Sequence, residues 1–343
     1  MTFGQKFQQM ITPGAVDGAH KSDLWLRSEA TMLMRALAAP VKAPRRMPHT
    51  PLAWVPGLLP GFTKLRQSER PMAPTLGRLG SLEVRLATKP KDIKRAQRLR
   101  YKVFYEEMSA VPTPATAMLR RDADFYDAFC DHVLVVDHAA LEHKPFRAPK
   151  PKVVATYRLL RQEMADLVGG FYSASEFDIA PLLERHSTLR FLELGRSCVL
   201  KPYRNKRTIE LLWHGVWTYI RAHGIDAMFG CASLEGTDPS RLALPLSFLS
   251  QQAQAPDEWR VKALANRYVA MNRLAPEAVN PKTALHALPP LLKGYLRVGA
   301  MIGDGAVVDY QFGTTDVFVI LPTSRIAERY IGYFGADAQR HAA

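Results

Sequence analysis

A ten-residue apolar run with two charges inside it constrains this chain most. Phe191-Leu192-Glu193-Leu194-Gly195-Arg196-Ser197-Cys198-Val199-Leu200 reads as a strand. Lys201-Pro202-Tyr203-Arg204-Asn205-Lys206-Arg207 follows as a basic turn, then a helix over Thr208–His223 and a strand over Ile225–Ala232. Strand, helix and strand in that order indicate an α/β sheet. A strand interior is a costly place for Glu193 and Arg196 unless they pair or do chemistry. Residues three apart on a strand face opposite ways, so a bulge at Gly195 is needed to bring both to one face. Such a bulge splays the strand from its neighbour and frees backbone N–H groups to accept an oxyanion. Glu193 is then placed to remove a proton from an amine, directly or through water. The other reading is an ion pair between Glu193 and Arg196 that orders the sheet.

The turn carries four cations, Lys201, Arg204, Lys206 and Arg207, ahead of a helix start at Thr208. Cations beside a helix N-terminus suit a phosphate. Diphosphate sites ordinarily use glycines for close backbone approach, and this turn has none. The pattern fits a single phosphate met by side chains, or a solvated basic loop.

Leu82–Ala87 alternates and reads as a strand. Lys91–Met108 reads as a helix with Ile93, Ala96, Arg100, Val103, Phe104 and Glu107 on one face, so Arg100 sits in the apolar stripe. Asp131–Asp137 and Lys152–Leu160 are expected strands, the second holding Arg158, joined by a basic loop at 138–151. A strand over Phe171–Ile179 and a short helix over Ala180–His186 come next. Beyond Ala232, Pro239–Gln251 and Pro289–Ala300 read as helices, Met301–Gly305 as a turn, Thr315–Leu321 as a strand and Ser324–Phe334 as a closing helix. The whole is an α/β domain with a mixed sheet. Asp122, Asp124, Asp127 and Asp131 cluster around Phe125-Tyr126. They suit a cationic amino-acid substrate, or form a solvated turn. Calcium-loop spacing is absent, so no metal is expected.

Charge is uneven. Residues 1–102 hold 19 Lys/Arg and 6 Asp/Glu, a net of +13, against +14 for the whole chain. A basic front end points to an anionic partner: a membrane surface, nucleic acid or an acidic protein. No nucleic-acid module is evident, and no nucleic-acid partner is expected. Ser22–Ala39 reads as a helix, docked on the body or lying on a membrane, and Pro40–Gly80 as an irregular linker or a segment draped over the core. Cys130, Cys198 and Cys231 are too few for a disulfide framework, which favours a reducing compartment, and none has a helical His partner that would mark a nucleophile. Without an apolar run of about 18 residues or a signal-peptide pattern, a cytoplasmic protein is expected. Residues 1–81 allow peripheral contact with the inner face of an anionic membrane. The expected division is a basic, Pro-rich extension at 1–81, a catalytic domain at 82–335 and a tail at 336–343.

Several motifs occur in one order: Arg100-Tyr101-Lys102-Val103-Phe104, Asp124-Phe125-Tyr126-Asp127, Thr156-Tyr157-Arg158 and Glu193-Leu194-Gly195-Arg196. This order resembles the acyl-homoserine lactone synthases and their relatives in the GNAT superfamily of acyltransferases. The tail is Leu288-Pro289-Pro290-Leu291-Leu292-Lys293-Gly294-Tyr295-Leu296-Arg297, then Gly303-Asp304-Gly305-Ala306-Val307-Val308-Asp309, then Thr314-Thr315-Asp316-Val317. It resembles one branch, the ornithine-acyl carrier protein N-acyltransferases of lyso-ornithine lipid synthesis. The resemblance spans residues 82–335 and leaves 1–81 unexplained.

It implies a GNAT-like mixed, splayed central sheet flanked by helices. It implies transfer of a 3-hydroxyacyl group from acyl carrier protein to the α-amino group of L-ornithine. No cofactor is bound; the carrier's phosphopantetheine brings the thioester and one phosphate, and the acidic carrier suits a cationic face. Glu193 acts as base or orients a water, while N–H groups near Gly195 and Val199 hold the oxyanion. Arg196 and Arg100 hold Glu193 and the acidic cluster, and Asp124 and Asp127 read the second ammonium of ornithine. Phe104 and Arg158 complete the substrate site. Val199, Lys201, Arg204, Lys206, Arg207 and Thr208 take the carrier's arm. The rivals are acyl-homoserine lactone synthesis from S-adenosylmethionine, CoA-dependent acetyl transfer, and a basic membrane- or nucleic-acid-binding protein with an inactive transferase fold.

Overall fold

Ten strands form one mixed sheet in the computed structural model, which describes residues 73–326 except 109 and 145. They are β1 (Thr75–Leu79), β2 (Leu82–Leu86), β3 (Asp131–Lys144), β4 (Arg147–Arg161), β5 (Phe177–Asp178), β6 (Phe191–Val199), β7 (Ala227–Glu235), β8 (Lys262–Ala263), β9 (Met301–Asp309) and β10 (Thr314–Pro322). Their spatial order is β1-β2-β3-β4-β6-β7-β10-β9-β8-β5. Neighbours are antiparallel except β6 with β7 and β8 with β9. The central strands are runs of β-branched and aromatic residues, such as Val133–Val136, Val153–Tyr157 and Val317–Ile320, buried throughout.

Two helices position the site. α1 (Pro90–Tyr101) starts with proline at its first position and packs on β3, β4 and β6. α2 (Lys206–His223) is capped by the Asn205 side chain, ends at Gly224 with φ +58°, and lies across β1–β4. Among the described residues no helix is long and apolar enough to cross a membrane.

Several expectations need correction. The segment 138–151 is not a loop: β3 and β4 run on as a long hairpin, paired at Leu141 with Pro151 and at Lys144 with Arg147. Composition hid it, because a ribbon with solvent on both faces needs no apolar alternation. Phe171–Ile179 is a 3-10 turn at Tyr172–Ser175 followed by two-residue β5. Met301–Gly305 is the start of β9, where Gly303 permits close packing against the Val261 carbonyl. Helix 91–108 changes at Lys102 into a π-helical turn over Lys102–Glu107. β1 lies in the stretch read as linker and pairs with β2. The helix expected at Ser324–Phe334 is a 3-10 turn at Thr323–Arg325, with residues from 327 outside the described ones. The Ser22–Ala39 helix and the 336–343 tail also lie outside them.

Candidate active site

The sheet forks at Glu193. β6 pairs with β4 from Leu192 to Val199, but with β7 only at Phe191–Glu193, opposite Ala227–Phe229. β7 stays paired with β10 along its whole length. The two strands therefore part beyond Glu193. Gly230 sits at the fork, where a Cβ would stand 2.2 Å from the Leu194 carbonyl oxygen. The cavity there is about 10 Å³, room for one water. Leu194, Gly230, Cys231 and Tyr295 are in its wall, and the Tyr295 hydroxyl bonds that of Tyr157.

The irregularity is one residue further along than Gly195. Thr156 faces Cys198 and Arg158 faces Gly195, so Arg196 and Ser197 together oppose Tyr157. Arg196 has φ +51°, a conformation that costs a side-chain-bearing residue about 1–2 kcal/mol. Its contacts explain why it is held there. Arg196 Nε lies 3.3 Å from Asp122 and Nη2 3.4 Å from Asp124, and Nη2 donates to the Tyr172 hydroxyl at 3.3 Å. The guanidinium lies 4.9 Å from the Tyr172 ring centre and 4.6 Å from that of Phe312. Phe104, on the π-helical turn, meets Phe312 edge-on at 5.8 Å.

Arg196 belongs to a network of three arginines and three aspartates. Arg100, 0% exposed, clamps Asp127 through two bonds of 2.8 and 2.7 Å and reaches Asp122 at 2.8 Å. Arg158 Nη1 donates to both Asp124 oxygens at 2.6 Å and to Asp127 at 3.3 Å. Asp124 and Asp127 also form a capping box on the turn Phe125–Ala128. Burial pushes the Asp124 and Asp127 carboxyls up, but the arginines outweigh it and hold both below the usual range. The aspartates are taken up by the arginines, Arg196 holding them the most loosely at 3.3 and 3.4 Å, so this cluster has no free carboxylate for an incoming cation.

Glu193 is 4% exposed. Its Oε1 accepts from the Ser173 N–H at 2.8 Å and from the Ser173 hydroxyl, while Oε2 accepts only the Tyr172 N–H at 2.7 Å. Those two N–H groups open the turn Tyr172–Ser175. Burial raises the Glu193 carboxyl above its ordinary value despite these donors. No ion pair joins Glu193 to Arg196 among the described residues; Tyr172 links them.

The basic turn is partly committed. Arg204 donates to the Val199 carbonyl at 2.9 Å and pairs with Glu107 at 2.6 Å. Lys206 is 3.7 Å from Glu210, and Arg207 reaches the Leu79 carbonyl at 3.5 Å. Helix α2 begins at Lys206, not Thr208; Thr208 is buried and its N–H is taken by Asn205 at 3.1 Å. Lys201 is exposed.

A second acidic group was not singled out from the sequence. Glu176, Asp309 and Asp316 bring carboxylate oxygens within 4.8 Å of one another. Arg267 approaches Glu176 at 3.2 Å, and Thr314 donates to Asp316 at 2.9 Å. Burial, then Asp316, pushes the Glu176 carboxyl up to about 7, and burial raises that of Asp316. Once Glu176 is ionised, three carboxylates face one guanidinium, and the group carries a surplus of negative charge. The group shares a face with Glu193: Ser173 contacts both Glu193 and Cys231, and Cys231 Sγ is 3.5 Å from Glu176. Asp309 and Asp316 stood in the quoted tail motif without a role. The available signal was Asp316 immediately ahead of the apolar run Val317–Leu321. Burial pushes all three cysteine thiols up, Cys198 to about 12, which disfavours a thiolate nucleophile.

A forked mixed sheet with a basic turn and helix after the splayed strand defines an acyltransferase of the GNAT type, and residues 99–214 match the acetyltransferase (GNAT) domain model. The chain is 54% identical over 270 residues to an L-ornithine N(alpha)-acyltransferase of Rhizobium meliloti (strain 1021), covering 79% of this chain and 90% of that protein. It is 55% identical over 267 residues to one from Brucella abortus (strain 2308), covering 77% and 92%. The chain belongs to this family of N-acyltransferases. Among solved structures, an N-acyl amino acid synthase from uncultured soil microbes matches at 10% identity and TM-score 0.39, covering 71% of this chain and 91% of that one.

Proposed function

We propose that the chain transfers a 3-hydroxyacyl group from acyl carrier protein to the α-amino group of L-ornithine, yielding lyso-ornithine lipid. The observation that carries this reading is the pair of opposed charges on one face of the fork. Arg196, wedged between Tyr172 and Phe312, faces the amino acid's carboxylate. The Glu176–Asp309–Asp316 group takes the δ-ammonium. Asp124 and Asp127 serve by fixing the three arginines. The relatives named for ornithine acylation support the choice of amino acid.

The neutral α-amine attacks the thioester carbon, and the new C–N bond forms as the carbonyl electrons move to oxygen. Backbone N–H groups freed beyond Glu193 face that oxygen, each worth about 3 kcal/mol in comparable sites. Glu193 Oε2, with one donor against two on Oε1, takes the amine proton directly or through water. The C–S bond then breaks as the thiolate takes a proton from Tyr295, which borders the cavity, and Tyr295 regains it from Glu193 through water. The carrier's single phosphate meets Lys201 and the first turn of α2, with Arg204 and Arg207 beside it.

The test is incubation of the full chain with 3-hydroxyacyl carrier protein or the matching acyl-CoA and a panel of ornithine, lysine, glutamine and S-adenosylmethionine, followed by mass analysis. Acyl-ornithine from the carrier arm is expected. A lactone, or acylation of no amino acid, would sink the proposal.

A further inference from the structure

The β3–β4 hairpin outruns the sheet that carries it. β2 pairs with β3 only as far as Asp137, and β6 pairs with β4 only from Ala155 onward. Between those limits the two strands have only each other as sheet neighbours among the described residues. The free ribbon from Val153 to its tip extends about 20 Å at some 3.3 Å per residue. Its middle is latched to α1: Arg95 lies 3.9 Å from Glu142 and donates to the Pro151 carbonyl.

The tip is unusual in two ways. Phe146, in the turn between Lys144 and Arg147, is 105% exposed, a costly place for an aromatic side chain in water. It also has φ +58°, a region that bulky residues rarely occupy and that glycine or asparagine would fill without strain. Leu141, further down the ribbon, is 49% exposed. Residues 138–152 carry Lys144, Arg147, Lys150 and Lys152 against the lone acid Glu142. The cleft at the ribbon's base, about 230 Å³, adds Arg95, Arg98 and Lys102 to the same cationic side.

Direction matters as well. β6 and β7 part beyond Glu193, toward Val199, and Val199 faces Ala155 at the root of the ribbon. The fork therefore opens toward the end of the sheet from which the ribbon projects.

We infer that the β3–β4 tip is a membrane-insertion wedge, in which Phe146 enters the interface of an anionic bilayer and Lys150 and Lys152 of the ribbon meet its headgroups. An aromatic ring at a loop tip with a cationic collar matches the chemistry of that boundary. An amphiphile leaving the fork would emerge facing the lipid.

Two measurements on the full chain test this. The first is fluorescence of Phe146→Trp over the wild-type background, with phosphatidylcholine vesicles containing or lacking phosphatidylglycerol. A blue shift and quenching by brominated lipid are expected only with the anionic vesicles. The second is vesicle flotation of Phe146→Asp, with thermal unfolding as the control for folding. A loss of about tenfold in partitioning is expected from removing one buried aromatic ring. A water-exposed signal from the Phe146→Trp variant on vesicles that carry it overturns the inference, as does failure of the protein to bind anionic vesicles. So does a Phe146→Asp variant whose KM for acyl carrier protein rises while its partitioning is unchanged, since the tip would then serve the carrier. None of the vesicle readouts depends on acyl transfer.

Discussion

The backbone N–H of Tyr172 donates to Glu193 at 2.7 Å while the Tyr172 ring lies 4.9 Å beneath the Arg196 guanidinium. The carboxylate at the fork and the cation on the bulge are thus fixed to opposite ends of one residue. Neither needs the other as an ion-pair partner, which leaves Arg196 free to answer to the aspartates and to substrate.

Glu193→Gln leaves a single acceptor oxygen for donors from Tyr172 and Ser173. At least one buried donor loses its partner, at a cost of about 1–3 kcal/mol. The melting temperature and turnover are both expected to fall, read by thermal unfolding and steady-state assay. Loss of turnover with unchanged melting would restrict Glu193 to proton transfer.

Glu176 links function to pH. Its carboxyl is raised to about 7, above the 4.5 of an unperturbed glutamate, by burial and then by Asp316. A group with a raised folded pKa favours the fold below pH 4.5, and that contribution is lost as pH rises through about 7. Glu176→Gln should therefore unfold less readily than wild type at pH 8, by up to about 3 kcal/mol, and about equally readily at acid pH. Its KM for ornithine should rise, whereas the wild-type KM should fall as pH passes 7. Denaturant melts at two pH values and a pH series of KM check both.

Arg196 separates side-chain from backbone energy. Arg196→Ala loses the contacts to Asp122 and Asp124 and keeps φ +51°. Arg196→Gly loses the same contacts but relieves the backbone, so it should be more stable than the alanine variant by about 1 kcal/mol. Both should lose about a hundredfold in turnover through misplaced substrate. Equal stability of the two variants would contradict the bulge geometry.

Gly230→Ala tests the fork. The added methyl would stand 2.2 Å from the Leu194 carbonyl, so backbone must move. A loss of about 1–3 kcal/mol is expected, with kcat falling more than the KM for ornithine. An alanine variant with wild-type turnover would show that the apex does not set the reacting geometry.

The α/β class, the strand at Phe191 and the helix that follows were legible because burial writes itself as apolar periodicity. Arg100 in an apolar stripe was legible for the same reason, and its network with Asp127 is a three-dimensional consequence. The bulge was placed at Gly195 because glycine is the default for unusual backbone; ion pairs imposed the strain on Arg196 instead. Glu176 was missed because its meaning depends on Asp309 and Asp316, more than 130 residues away, and only the folded chain brings them together. The long hairpin was missed because its outer half is mostly exposed and carries no apolar alternation.

Pairing between β6 and β7 is three residues long, and among the described residues it is the one strand-to-strand seam joining β1–β4 and β6 to the rest of the sheet. Beyond that seam the two parts are bridged by side chains, Arg196 and Phe104 against Phe312 and Tyr157 against Tyr295, over one continuous core. Arg196 lies on one side of the fork, Asp309 and Asp316 on the other. A ligand held at both ends would span the gap between them, so selection by side-chain length becomes a question of the width at which that packing fixes the fork.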